Sequence, residues 1–164
     1  MTMRQINVQR FSVVSSKPFG EVIKIFEAAI GHPAMSSLMG NIASTRTYAE
    51  LEKVIHEVVG ESGLMEFARF DLGEILRKEY GERAPRSVRF LAGNPLIMKQ
   101  MVEHVPDAGS YAPVTILIDE RPDGVHLSYD TMSSFLDPYG SPEALKVAQD
   151  LDSKVEALLT AAAE

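Results

Sequence analysis

The sequence has neither cysteine nor tryptophan among its 164 residues. Without cysteine there is no disulfide, no thiolate zinc or iron–sulfur site and no cysteine nucleophile. Long apolar runs are missing too. Nothing approaches the ~20 residues of a membrane span, and the start Met-Thr-Met-Arg-Gln-Ile-Asn does not read as a signal peptide. No membrane partner is expected, and the default is a cytoplasmic protein. Positive charge is in short supply, with 16 Lys and Arg against 23 Asp and Glu, a net −7. Phosphate contacts need net positive surface, so nucleic acid is not expected as a partner. The rest of the composition is ordinary at 45% hydrophobic and 24% charged, which argues against disorder. The length suits one domain, and such a chain buries about 70% of its unfolded surface without a metal or disulfide staple.

The charge is segregated along the chain. Residues 1–102 carry 13 basic and 11 acidic side chains, a net +2, whereas residues 103–164 carry 3 and 12, a net −9. A basic run, Arg77, Lys78, Arg83, Arg86 and Arg89, lacks aromatics at a spacing that would stack bases. It reads as a solvated face with i,i+4 partners such as Glu74 and Lys78.

Periodicity gives an element order. Residues 4–15 alternate loosely, with a phase switch near Arg10 that predicts a bulged first strand. Pro18 opens a helix carrying Val22, Ile23, Phe26, Ala29 and Ile30, which Gly31 and Pro33 end. Residues 31–46 show no clear period and read as a loop with at most a turn of helix. Thr47 and Glu50 form a capping-box pattern ahead of a second helix that Gly60 or Gly63 stops. A strand over 64–70, a helix over 72–80, a strand over 87–92 and a helix opened by Asn94 and Pro95 follow. Strands 114–120 and 125–130 flank Pro122-Asp123-Gly124, a hairpin signal. The last helix begins at Ser141-Pro142, with apolar residues at alternating spacings of three and four. No internal repeat or linker is present. The order predicts a single α+β domain, with helices on one face of a curved, mostly antiparallel sheet.

Standard chemical motifs are absent. His56-Glu57-Val58-Val59-Gly60 begins like a helical zinc motif, but glycine stands where the second histidine is required. There is no phosphate-binding glycine loop and no nucleophile elbow, and neither a metal nor a cofactor is expected. The Gly93-Asn94-Pro95 turn joins a strand end to a helix N-terminus, a place suited to an anion. Strand alternation sets Met65, Phe67 and Arg69 on the core face with Tyr129 and its neighbours. Glu66, Ala68, Arg89, Leu91, Thr115, Leu117, Asp119, His126, Ser128 and Asp130 fall on the other. That second face is too polar for a core and too apolar for plain solvent, which fits a pocket or a dimer interface. Within a pocket, His126 beside Asp119 or Glu66 is the natural proton-transfer pair. Arg69 is the best carboxylate clamp, and Arg89, Gly93, Asn94 and Tyr129 complete the candidate ligand set. His104 reads as a helix-dipole partner.

Four segments together resemble a known family, the domain of unknown function 302: Phe67-Ala68-Arg69-Phe70-Asp71, Phe90-Leu91-Ala92-Gly93-Asn94-Pro95, Ala112 to Ile118, and Asp123 to Tyr129. The resemblance covers roughly residues 47–140, and the Gly-Asn-Pro turn is its most specific mark. It implies a compact α+β domain of the TATA-binding-protein-like kind and suggests homodimers, but it supplies no activity. Asp71-Leu72 stands where the family commonly has Asp-His. Residues 1–46 then read as a first strand plus an added helix and loop, and 141–164 as a C-terminal helix. The segment 31–46, with Met35, Leu38, Met39 and Ile42, suits a lid or a dimer contact. The first functional reading is a homodimeric domain binding a small anionic or amphipathic molecule between the sheet, the Gly93–Pro95 turn and residues 31–46. The alternatives are a metal-independent enzyme built on a His/carboxylate pair, and a structural or protein-interaction domain.

Overall fold

The structure is a computed structural model, and it describes residues 1 and 3–164. Among the described residues, five strands form one sheet, in the order β1-β5-β4-β3-β2, with every neighbouring pair antiparallel. The strands are β1 (Arg10–Ser15), β2 (Met65–Asp71), β3 (Ser87–Gly93), β4 (Val114–Arg121) and β5 (Gly124–Asp130). The helices are α1 (Phe19–Ala29), α2 (Met35–Ser44), α3 (Tyr48–His56), α4 (Leu72–Tyr80), α5 (Pro95–Val102), α6 (Met132–Leu136) and α7 (Pro142–Ala163). This is the α+β fold that the element order predicts.

Alternation along the strands builds the core. Phe90, Ile116, Tyr129 and Phe11 follow one another across the sheet, and Phe90, Ile116 and Tyr129 are buried. Phe26 of α1 meets Phe90 at 4.7 Å between ring centroids, tilted by 50°. Such pairs contribute about 0.5–1.5 kcal/mol beyond the area they bury. The seam of α7, from Ala144 and Ala148 through Leu151, Val155 and Leu158 to Ala162, is buried in the same core.

The caps anticipated from sequence are present. Thr47 Oγ1 accepts from Glu50 N at 3.2 Å, and Glu50 returns the favour to Arg46 N at 2.7 Å. Asn94 Oδ1 accepts from Leu96 N at 2.8 Å, and Ser141 caps α7. Gly81 ends α4 at φ +59°. At the root of α2 two backbones cross: a Cβ on Gly31 would lie 1.8 Å from Val58 O, and one on Gly60 would lie 2.5 Å from Ala29 O. Only glycine fits at either position.

Three expectations need correction. The register of β1 runs unbroken from Arg10 to Ser15, without the bulge predicted near Arg10. The chain before it turns to α6 instead: Gln9 N donates to Ser134 Oγ, and Thr131 N donates to Gln9 O. Residues 35–44, read as loop, form the ten-residue helix α2. It has no side-chain cap at its N-terminus, no acid in its first turn and no base in its last. Packing holds it, with Leu38 buried against Ile55, Leu96 and Met65 in a second, smaller core. The short α6 carried no recognisable pattern. Helix α3 stops at His56, ahead of Gly60.

Candidate ligand cavity

A cavity of about 430 Å³ opens where β3 ends and β4 begins. Its walls come from five places in the chain. Helix α2 gives Met39 and Ile42, α3 gives Leu51, α5 gives Ile97, Met98 and Met101, α7 gives Leu151, and the strand ends give Phe67, Gly93 and Ala112–Val114. The volume falls within the range of ligand sites, roughly 300–1,000 Å³.

A bulge in β2 brings Phe67 here. Glu66 pairs with Ala92 and Ala68 with Leu91, so Phe67 is the extra residue on its strand. The bulge also resets the alternation. Glu66, expected on the face opposite Arg69, lies beside it, with Oε2 3.0 Å from Arg69 Nη2. The Glu27 carboxylate holds the same guanidinium from α1, and Arg69 Cζ sits 4.8 Å from the Phe90 ring centroid. His32 Nδ1 is 3.2 Å from Glu66 Oε2. Arg69 is thus clamped by two acids of its own chain and does not line the cavity.

The polar groups around the cavity are committed elsewhere. Asn94 has its Oδ1 on Leu96 N and its Nδ2 on Gly63 O at 2.9 Å. Pro95 and Pro113 have no N–H to offer. The Lys99 ammonium pairs with Glu103 and lies 5.4 Å from the Tyr48 ring centroid. That pairing raises the Lys99 pKa and lowers the Glu103 pKa.

The other predicted residues lie apart. Arg89 is on the outer sheet face, its Cζ 4.7 Å from the Phe70 ring centroid, beside a shallow cavity of about 200 Å³ shared with Arg10, Thr115 and Leu117. A further cavity of about 490 Å³, with Tyr111, Thr115, Asp130 and Phe135, lies against Ala112–Val114. His126 lines none of the three. Its Nε2 is 2.9 Å from Asp123 Oδ1 in the hairpin loop, an interaction that pulls the Asp123 pKa down. Asp119 faces His126 in register but binds Arg121 at 2.6 and 3.2 Å. Glu66 and His126 are therefore not brought together. His104 lies 3.8 Å from Glu103, and His56 is on an exposed helix surface. Among the described residues no group of three or more His, Asp or Glu is placed to hold a metal ion, and no helix is long and apolar enough to cross a membrane.

Tyr129 is inside the core at 1% exposure. Its hydroxyl donates to Asp152 Oδ1 at 2.6 Å. Asp152, on α7, also accepts from Met132 N at 2.7 Å and Ser133 N at 3.0 Å. Burial, and then the Asp152 carboxylate, push the Tyr129 pKa well above the usual phenol value. Sequence reasoning missed Asp152, although a signal existed: it stands four residues after Ala148, on the buried face of α7. Sequence reasoning also missed Met98 and Met101 as cavity residues.

An antiparallel sheet covered on one face by helices, with an apolar cavity at its strand ends, defines the class: a small α+β domain with a partly open hydrophobic cavity. The chain belongs to the family described as domain of unknown function DUF302, whose model matches residues 40–162. The match extends past the four segments noted in the sequence to take in most of α7. The structure is similar to a crystal structure of an uncharacterized conserved DUF302 protein from Bacillus stearothermophilus. The TM-score is 0.65 at 14% identity, over 93% of this chain and 97% of that one. No curated protein matches the sequence.

Proposed function

We propose that this protein is a binding domain for a small, mainly apolar molecule held in the 430 Å³ cavity. The observation that carries this reading is the lining itself, apolar side chains converging from α2, α3, α5, α7 and the strand ends on a space that they do not fill. The three methionines, Met39, Met98 and Met101, give the walls the adaptability that suits a flexible guest. Helix α2 forms the roof, in keeping with a lid role for residues 31–46. Titration with the uncharged fluorophore 1-aminoanthracene tests the reading. Binding is expected at one site per chain, weakened at least tenfold by Met98→Trp or Ile42→Trp, either of which fills the cavity. A folded protein that gives no fluorescence change refutes it.

A second observation favours self-association. Helix α4 is amphipathic, yet Ile75 is 71% exposed and Tyr80 51%, with Phe70 and Leu76 open beside them. Contiguous apolar exposure of this kind marks interaction surfaces. Glu74 stands at the start of α4 and Arg77 and Lys78 near its end. Two copies of the helix packed antiparallel across a two-fold axis set acid against base. The partner that fits is a second copy of the chain. Sedimentation should show a dimer that Ile75→Lys converts to monomer; a wild-type monomer at high micromolar concentration refutes it.

A further inference from the structure

We infer that the guest of the 430 Å³ cavity is an uncharged, hydrocarbon-rich molecule, and that the site discriminates against an ionised head group of either sign. The inference rests on the ligand-site reading above and narrows the class of ligand. It departs from the anionic guest suggested by the strand–helix turn.

Three observations carry it. First, the helix N-terminus at Pro95 is occupied by its own cap: Asn94 Oδ1 takes Leu96 N, and its Nδ2 is held by Gly63 O. Leu96 N, one of the amides that make such turns anion sites, is already paired. Second, the arginines able to clamp an anion are elsewhere. Arg69 is held between Glu27 and Glu66, and Arg89 lies over Phe70 on the outer face. Third, the one cation in the lining, Lys99, is neutralised by Glu103 and also feels Glu52. An anionic head at the rim gains little, because Lys99 is solvent-exposed, its pairings are weak, and Glu103 and Glu52 stand around it. A cationic head gains little there, because Glu103 is solvent-exposed and exposed pairs are weak. Deeper in, a charge of either sign meets thioethers, aliphatic chains and the Phe67 ring, with no free hydrogen-bond partner among them. The space accepts carbon and hydrogen and leaves a polar head unpaired.

The test is displacement of 1-aminoanthracene by three probes with alkyl chains of seven or eight carbons and different heads: 1-octanol, octanoate and octyltrimethylammonium, at pH 7.5 and below their micelle concentrations. Octanol should displace at a concentration at least tenfold lower than either ion. Along the series from 1-butanol to 1-octanol, affinity should rise about fourfold per methylene. If the fluorophore binds but octanoate or octyltrimethylammonium competes as well as octanol, or octanol does not displace it, the ligand class is wrong and the binding reading stands. If the fluorophore does not bind to folded protein, the binding reading itself falls.

Discussion

Asp152 ties three elements together with one carboxylate, and removing it should be among the most damaging single changes in the domain. In Asp152→Ala the buried Tyr129 hydroxyl loses its acceptor, and buried Met132 N keeps only the Tyr129 hydroxyl oxygen, 3.0 Å away, while Ser133 N is partly buried and can turn to water. A buried group left unpaired costs about 1–3 kcal/mol, and losing a hydrogen bond to a charged acceptor about 1.5–3 kcal/mol. The members of a network do not add independently, so the expected loss is about 3–5 kcal/mol, a large part of the ~5–15 kcal/mol that holds a domain folded. Tyr129→Phe should cost less, about 1 kcal/mol, because both backbone amides keep their acceptor. Urea unfolding followed by far-UV circular dichroism measures both, since the chain has no tryptophan to report on its core. The double variant completes a cycle. If Asp152→Ala costs under about 1 kcal/mol, or if the two changes add without coupling, the carboxylate is not the tie described.

The same tyrosine sets a pH limit. Its folded pKa is raised, so its contribution is fully present below the unfolded value of about 10 and is lost as pH rises beyond it. Wild-type stability should fall above about pH 10 by up to ~1.4 kcal/mol per pH unit more than that of Tyr129→Phe; parallel curves for the two proteins argue against it. For the cavity roof, Leu38→Ala removes the buried anchor of α2. A loss of about 2–5 kcal/mol is the usual range for such a change. Hydrogen exchange should speed up in residues 35–44 first while the central strands stay protected, and a uniform loss across the chain contradicts a locally anchored roof.

Local rules read much of the frame correctly. Helix α4 spans Leu72 to Tyr80, as the sequence predicts; Asp71 caps it by accepting from Glu74 N, and Gly81 ends it at a positive φ. The hairpin at Pro122-Asp123 was equally legible. Helix α2 was not, since Ser, Gly and Asn give it weak propensity and no side chain caps its N-terminus, and its reason to be helical lies in Ile55 and Leu96, far along the chain. The cavity was half legible. The Gly93–Pro95 turn and the 31–46 segment both border it, but the arginine and tyrosine assigned to a ligand proved to have partners inside the fold. Charge in a sequence says what a residue can pair with, not which partner the fold supplies.

The extra residue in β2 bears on how relatives are compared. Upstream of Phe67 the strand keeps one parity and downstream it keeps the other, so the strand is two short phrases joined out of step. An alignment drawn through residues 65–71 without a gap, against a homologue lacking the bulge, matches inward residues of one protein with outward residues of the other. Substitution patterns at Arg69 and Phe70 then exchange meanings. A single gap opened at Phe67 restores the correspondence, and it also marks which members of the family contribute an aromatic ring to the cavity at this position.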